Sequence, residues 1–360
     1  MNIQEANQTV QEWINEGDEE ATLDLDGLTS AVGLALPENF KGSLHLNGLT
    51  SAEGLTLPTS VGGGLRLDGL TSAVGLKLPE TIEGNLTLDG LTSAVGLTLP
   101  TSVNDLYLNG LTSAVGLKLP ETIKGELFLQ GLTSAEGLKL PENYKRSLNL
   151  RSLTSAAGLT LPENFKGDLN FEGLTSAVGL KLPETIEGNL TLDGLTSAVG
   201  LKLPETIEGN LTLNGLTSAM SLTLPTSVKG HLYLHGLTSA VGLTLPETIG
   251  RDLALIGLTS AVGLTLPTSV KGSLYLNGLT SAVGLTLPEN LKKSLGLRGL
   301  TSAVGLKLPT TVEALDLNGL TSAEGLTLPT TVYVFRLNGL PESDKEALRQ
   351  RHPNLADKIK

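Results

Sequence analysis

The stretch Leu258 to Gly278 reads LTSAVGLTLPTSVKGSLYLNG, and its pattern fills most of the chain. The Leu-Thr-Ser at its head recurs with the leucine at 28, 49, 70, 91, 111, 132, 153, 174, 195, 216, 237, 258, 279, 300 and 320. Leu340, ahead of Pro341, ends the series. Each step is 21 residues, apart from steps of 20 at 91 to 111, 300 to 320 and 320 to 340. A unit this short cannot bury its own apolar side, whereas stacked copies make one continuous core. The register therefore predicts a solenoid of about fifteen turns.

Within a unit the alternation Leu274-Tyr275-Leu276 is strand-like, with two leucines pointing one way and the middle residue the other. Pairs such as Asn277-Gly278 and Asp89-Gly90 follow and read as bends at positive φ. A Leu-Thr-Ser-Ala arc comes next, then Gly-Leu-x-Leu-Pro, where the proline cannot donate a ladder hydrogen bond and closes the segment. Three residues after most prolines stands a plug for the return arc: Phe40, Val61, Ile82, Val103, Ile123 and Tyr144.

Composition agrees with a long, thin, aliphatic core. Aromatic residues make up 3% of the 360, while Gly 43 and Pro 17 supply many turns. The net charge of −12 argues against non-specific binding to nucleic acid or to anionic membranes, both of which need basic patches. With no cysteine, disulfides, thiol catalysis and Cys-ligated zinc are excluded. Met1 to Gly17 lacks an apolar core, so no standard secretion signal is expected there. No run of about 18 apolar residues offers a membrane span. Localisation stays open between cytoplasmic and exported by a signal-independent route.

On these residues the chain resembles bacterial leucine-rich-repeat proteins, including the short-repeat effectors of pathogens. Pro309, Val312, Leu315 and Leu317 follow that family's order of proline, aliphatic at +3, leucine at +6 and aliphatic at +8; Pro100, Val103, Leu106 and Leu108 do the same. The resemblance spans Leu23 to Leu340. It implies a leucine-rich-repeat-like, right-handed β-solenoid with a parallel sheet on one face and helical caps. It also implies a partner held by variable outward strand residues. Two features depart from the family. Leu111 and Leu320 stand where it places asparagine, so its asparagine ladder is expected to be missing. The 21-residue units insert a residue before the strand, which leaves a straighter β-helix open as an alternative. Ligase-type relatives carry a catalytic domain with an essential cysteine, so the likeness is to repeat-only members.

The expected domains are an N-terminal helical cap (1–20), the repeat solenoid (21–340) and a C-terminal helical cap (341–360). Ile3, Ala6, Val10, Trp13 and Ile14 fall on one helical face, with Trp13 as the plug over the first rung. Ser343 to Glu346 reads as a capping box opening a helix to about His352, stopped by Pro353, with Leu348, Leu355 and Ile359 covering the last rung.

No constellation for chemistry emerges. His231 and His235, four apart on one strand and flanking Tyr233, are about 13 Å apart along an extended chain, too far to share a metal ion. Asp68, Asp89, Asp168, Glu172 and Asp193 recur outward, but neighbouring rungs hold Asn, Thr or Arg at those positions. No phosphate-binding glycine spacing is present. The reading is thus a non-enzyme with no cofactor and no metal. Units differ mainly at three outward strand positions. Aromatics gather there at Tyr107 and Phe128 on adjacent rungs, and at Tyr233 and Tyr275 with His231, His235 and Ile256 beside them. These seven are the expected partner-binding residues. The expected function is a binding scaffold for a protein partner. A structural, adhesive or glycan-binding role is the alternative, and an ice-binding solenoid, from the rows of Thr and Ser, a remote one.

Overall fold

A parallel strand needs its partner a full crossover away in sequence, and this chain supplies one every 20 or 21 residues. In the computed structural model, which describes all residues except Asn290 and Lys292, the result is a parallel β-solenoid of about fifteen turns. The chain divides into two units, Met1–Phe171 with Gly179–Pro183, and Glu172–Val178 with Glu184–Lys360. In the first, strands pair in parallel from Leu23–Asp24 and Leu44–His45 through Leu106–Tyr107 and Leu127–Phe128 to Leu169–Asn170. In the second, the ladder runs from Leu190–Thr191 through Leu232–Tyr233 and Leu274–Tyr275 to Thr331–Arg336. Leucine sits on leucine from rung to rung until Phe335 takes the last place, opposite Leu315.

A single sheet is not the whole of it. The plug residues form a second, shorter ladder in each unit, as in Ser60–Val61 with Thr81–Ile82 and Ser227–Val228 with Thr248–Ile249. In most turns the residues between the plug and the strand leucine, such as 229–231, keep the two ladders apart. In the last two units, each 20 residues long, they fuse into six-residue strands, Thr311–Asp316 and Thr331–Arg336. Tyr144 interrupts the second ladder and is buried. Its hydroxyl donates to Ser147 O at 2.7 Å and accepts from Leu127 N at 3.0 Å, so it supplies bonds that strand pairing provides elsewhere. Burial pushes this phenol's pKa far up, so it acts as a neutral bridge.

Two turns shape each rung. In the rung of Leu253 the first is Leu255-Ile256-Gly257-Leu258, closed by Leu258 N to Leu255 O at 3.2 Å. The second is Ala261-Val262-Gly263-Leu264, closed by Leu264 N to Ala261 O at 3.0 Å. Gly263 has φ 79, the mark of a type II turn with glycine at its third position. The expectation of positive φ at the Asn-Gly and Asp-Gly pairs was wrong. Those glycines are absent from the positive-φ set and are needed for a different reason: a Cβ on Gly90 would overlap the carbonyl oxygens of Asp68 and Leu70. Rung spacing, not backbone handedness, selects glycine there. Leu253, Leu255, Leu258, Ala261, Leu264 and Val270 point inward and are buried, a pattern repeated along the chain.

Both ends are covered. Helix α1 (Ile3–Glu16) opens with Asn2 and Glu5 in a capping box and ends at left-handed Gly17. Ala6 and Val10 are buried, and Trp13 stacks on Phe40 at 4.3 Å while its indole N–H donates to Ala21 O. Ile14 is exposed, contrary to expectation, although it shares that face, one turn beyond Val10 in the last turn of the helix. Helix α2 (Glu342–Arg351) starts after Pro341 without a side-chain cap. The predicted capping box does not form, and Asp344 instead accepts from Ala323 N at 2.7 Å. Leu348, Leu355 and Ile359 are buried as expected. Among the described residues no helix is long and apolar enough to cross a membrane.

Candidate functional site

The outward strand face is built on backbone already satisfied by its neighbours, so its side chains decide what it can do. Most of the polar ones are committed. In the first unit Asp26, Asn47, Asp68, Asp89 and Asn109 each accept, through Oδ1, the backbone N–H of the equivalent residue one rung on, at 2.8–3.1 Å. In the second unit Asp193, Asn214, Asn277 and Asn318 do the same. The family's asparagine ladder is missing as expected, since Leu111 and Leu320 are buried leucines; a different file of Asn and Asp side chains, two residues upstream of those positions, lies on the strand face. The residue before each turn glycine carries the signal, an Asn or Asp in most rungs. A second file runs along the leading position: Asn210 accepts from His231 N, His231 Nδ1 from Asp252 N, and Asp252 from Ser273 N, at 2.8, 3.2 and 2.6 Å. Asp252 Oδ2 is also 3.2 Å from His231 Nδ1. That nitrogen accepts from the amide when it carries no hydrogen or donates to the carboxylate when it carries one, not both at once.

The aromatic residues stand where they were placed but are less open than expected. Tyr107 and Phe128 face each other in register and stack at 4.2 Å with their planes 12° apart. Burial, then Asp105 and Asp89, raise the pKa of the Tyr107 phenol. Tyr233 lies between His231 and His235, 5.3 Å from each ring. Tyr275 is not its neighbour, because Ala254 stands between them in the ladder and is itself buried. Ile256 alone of the seven counts as exposed, at 39%. Burial lowers the pKa of His235, opposed by Asp193, so the cluster around Tyr233 holds a mainly neutral ring at neutral pH.

Two shallow troughs open where a rung offers glycine. One, of about 560 Å³, includes His45, Gly64, Arg66, Asp68, Thr87 and Tyr107. The other, of about 360 Å³, includes Tyr275, Asn277, Gly296, Arg298, Asp316 and Arg336. One cluster escaped the sequence reading. Asp24, Asp26 and His45 can bring one ligand atom each within 4.8 Å of one another. Both carboxylates already serve the chain, however: Asp24 accepts from Asp26 N, and Asp26 holds both the backbone and side-chain N–H of Asn47.

The Thr and Ser of the Leu-Thr-Ser arc face outward while its leucine is buried. Its hydroxyls are turned back on the chain: Thr133 Oγ1 donates to Thr112 O and Thr280 Oγ1 to Thr259 O, at 3.1 and 3.3 Å. Ser260 and Ser281 accept from Val262 N and Val283 N, both at 3.2 Å. No protein-family model, no curated protein and no solved structure matches this chain.

Proposed function

We propose that the chain is a non-catalytic binding scaffold, of the kind its resemblance to repeat-only bacterial leucine-rich-repeat proteins implies, and that it holds a protein partner on the outward strand face. The observation that carries this reading is the Tyr107–Phe128 stack, two half-buried rings fixed on adjacent rungs of a hydrogen-bonded ladder. Rings already ordered lose little freedom on binding, and aromatic anchors contribute a large share of interface energy. The cluster of His231, Tyr233 and His235 supports a second anchor, with Ile256 and Tyr275 at its margin.

The employment of the polar groups weighs against the rivals. Carboxylates such as Asp68, Asp89 and Asp193 accept amides of the next rung, which suits structure better than proton transfer. Thr and Ser hydroxyls bonded to backbone are poorly placed to order water on an ice surface. The test is quantitative capture of partners from the source cell by the intact chain. Tyr107→Ser/Phe128→Ser and Tyr233→Ala/Tyr275→Ala are expected to lose the captured protein at unchanged melting temperature. The control Lys181→Ala/Lys202→Ala, on the opposite arc, keeps it. Loss in the control alone would show that the wrong face has been chosen.

A further inference from the structure

Beside the strand face, each rung has a second exposed region at the corner that most often reads Ala-Val-Gly-Leu. In the second unit Val199, Met220, Val241, Val262, Val283 and Val304 stand one per rung and are 57–76% exposed. Each occupies the first corner of a type II turn, where a side chain projects away from the core. The next residue is glycine at φ near 80, as at Gly242, Gly263 and Gly284, apart from Ser221 at φ 63 after Met220. Gly242 and Gly305 have open space where a Cβ would stand. A ridge of aliphatic side chains therefore runs beside a furrow with almost none.

The flanks of the four central rungs are uncharged. On one side lie serines whose hydroxyls accept the valine N–H, as Ser239 does from Val241 and Ser260 from Val262. On the other lie exposed Thr223, Thr244, Thr265 and Thr286, with Lys202 and Lys307 at the two ends. On the following rung Glu324 takes the valine's place and ends the ridge. Single exposed aliphatics are ordinary, but six in line form a patch that water disfavours.

We propose that this face binds the same face of a second copy of the chain, the valine ridge of each lying in the glycine furrow of the other. Periodicity selects the occupant. The ridge repeats at the rung spacing of about 4.8 Å, and a surface that engages six successive side chains must repeat at that spacing too. Another copy of this chain does. A two-fold axis parallel to the stack places ridge over furrow and brings equal rungs together, giving one closed, isologous contact. The net charge of −12 does not oppose it, because the four central rungs carry no charge on either flank. Six rungs at about 4.8 Å give the ridge a length of about 24 Å. A contact confined to one corner of each rung falls short of the roughly 800 Å² per partner of standard stable interfaces, so the dimer is weak. This proposal uses a different face from the partner site and stands or falls independently of it.

Sedimentation velocity on the intact chain, from about 2 μM to about 500 μM, tests it by mass action. The expected result is a monomer that becomes a dimer over that range. Val241→Glu/Val262→Glu stays monomeric with an unchanged melting temperature, and Tyr233→Ala/Tyr275→Ala dimerises as the parent does. Mixing a Val241→Glu copy with a Val241→Lys copy restores the dimer, because equal rungs meet. A monomer at the highest concentration, a dimer indifferent to the two glutamates, or no recovery on mixing would overturn the proposal. So would thermal hysteresis by the monomer that the glutamates abolish, since the occupant would then be ice.

Discussion

The strand face and the Val-Gly corner of the same rung invert what their residue types promise. The strand face carries the variable, polar and aromatic residues, yet much of it is spent inside the molecule. Its Asn and Asp side chains hold the next rung's amide, and its rings stack on one another. The corner carries a repetitive Thr-Ser-Ala-Val-Gly, yet its hydroxyls turn inward and its valines stand free. Outwardness in a strand pattern is therefore not exposure, and hydroxyl content is not polarity. What separates the two faces is how many partners the neighbouring rung supplies.

The largest effect should come from breaking the core beneath both faces. Leu192 is fully buried, and Leu192→Ala is expected to cost about 2–5 kcal/mol in chemical denaturation, against well under 1 kcal/mol for exposed Val241→Ala. Equal costs would mean that the inward and outward sides have been confused. Next come the two kinds of glycine. Gly90→Ala pushes a methyl group into the carbonyl oxygens of Asp68 and Leu70, backbone that must shift to admit it, as it does where Ser152 takes this place, and should cost about 2–3 kcal/mol. Gly96→Ala, at φ 81 and without a severe contact, should cost only the left-handed strain of about 1–2 kcal/mol. The reverse order in thermal melts would contradict the distinction between rung spacing and turn geometry.

The solenoid, its register, the inward leucines and the capping ends were legible because each rests on period and hydrophobicity, which a sequence displays directly. What was not legible depends on contact between rungs. The Asn and Asp ladder lies in residues that a single unit shows as turn formers, and only stacking brings each side-chain oxygen onto the next amide. Tyr107, Phe128, His231, Tyr233, His235 and Tyr275 were placed on the correct face, but their mutual stacking depends on ring orientation, which spacing does not give. The valine ridge was overlooked because an Ala-Val pair reads as core. Which of the two turns inward follows from the type II turn, and the glycine after the valine was the available sign.

Smaller effects sharpen the comparison on the strand face. Tyr144→Phe leaves Leu127 N and Ser147 O without their shared hydroxyl and should cost about 1–2 kcal/mol by urea titration. No loss would show that the bridge is not structural. Thr212 Oγ1 is buried with no hydrogen-bond partner, so Thr212→Val should gain about 1 kcal/mol, whereas a loss would reveal a partner the hydroxyl needs. His235 gives the smallest signal. Its folded pKa lies below its unfolded one, so the unfolded chain binds the proton more readily and stability rises with pH through that window. The contribution is present above the ordinary histidine pKa of about 6.5 and is lost as pH falls through the depressed value. His235→Asn should flatten the melting-temperature profile between about pH 5 and about pH 7, and an unchanged slope would assign it elsewhere.

The contrast between the two faces is tested most directly by hydroxyl-radical footprinting of the intact chain, each residue's labelling being normalised to that of the unfolded chain. Met220 is 76% exposed at the corner, while Tyr233 is half-buried between two histidines on the strand face. At low protein concentration Met220 should label close to its unfolded rate and Tyr233 well below it. At high concentration Met220 alone should become protected as corners pair. Labelling of Tyr233 as complete as that of Met220, or labelling of Met220 that does not change with concentration, would contradict the account.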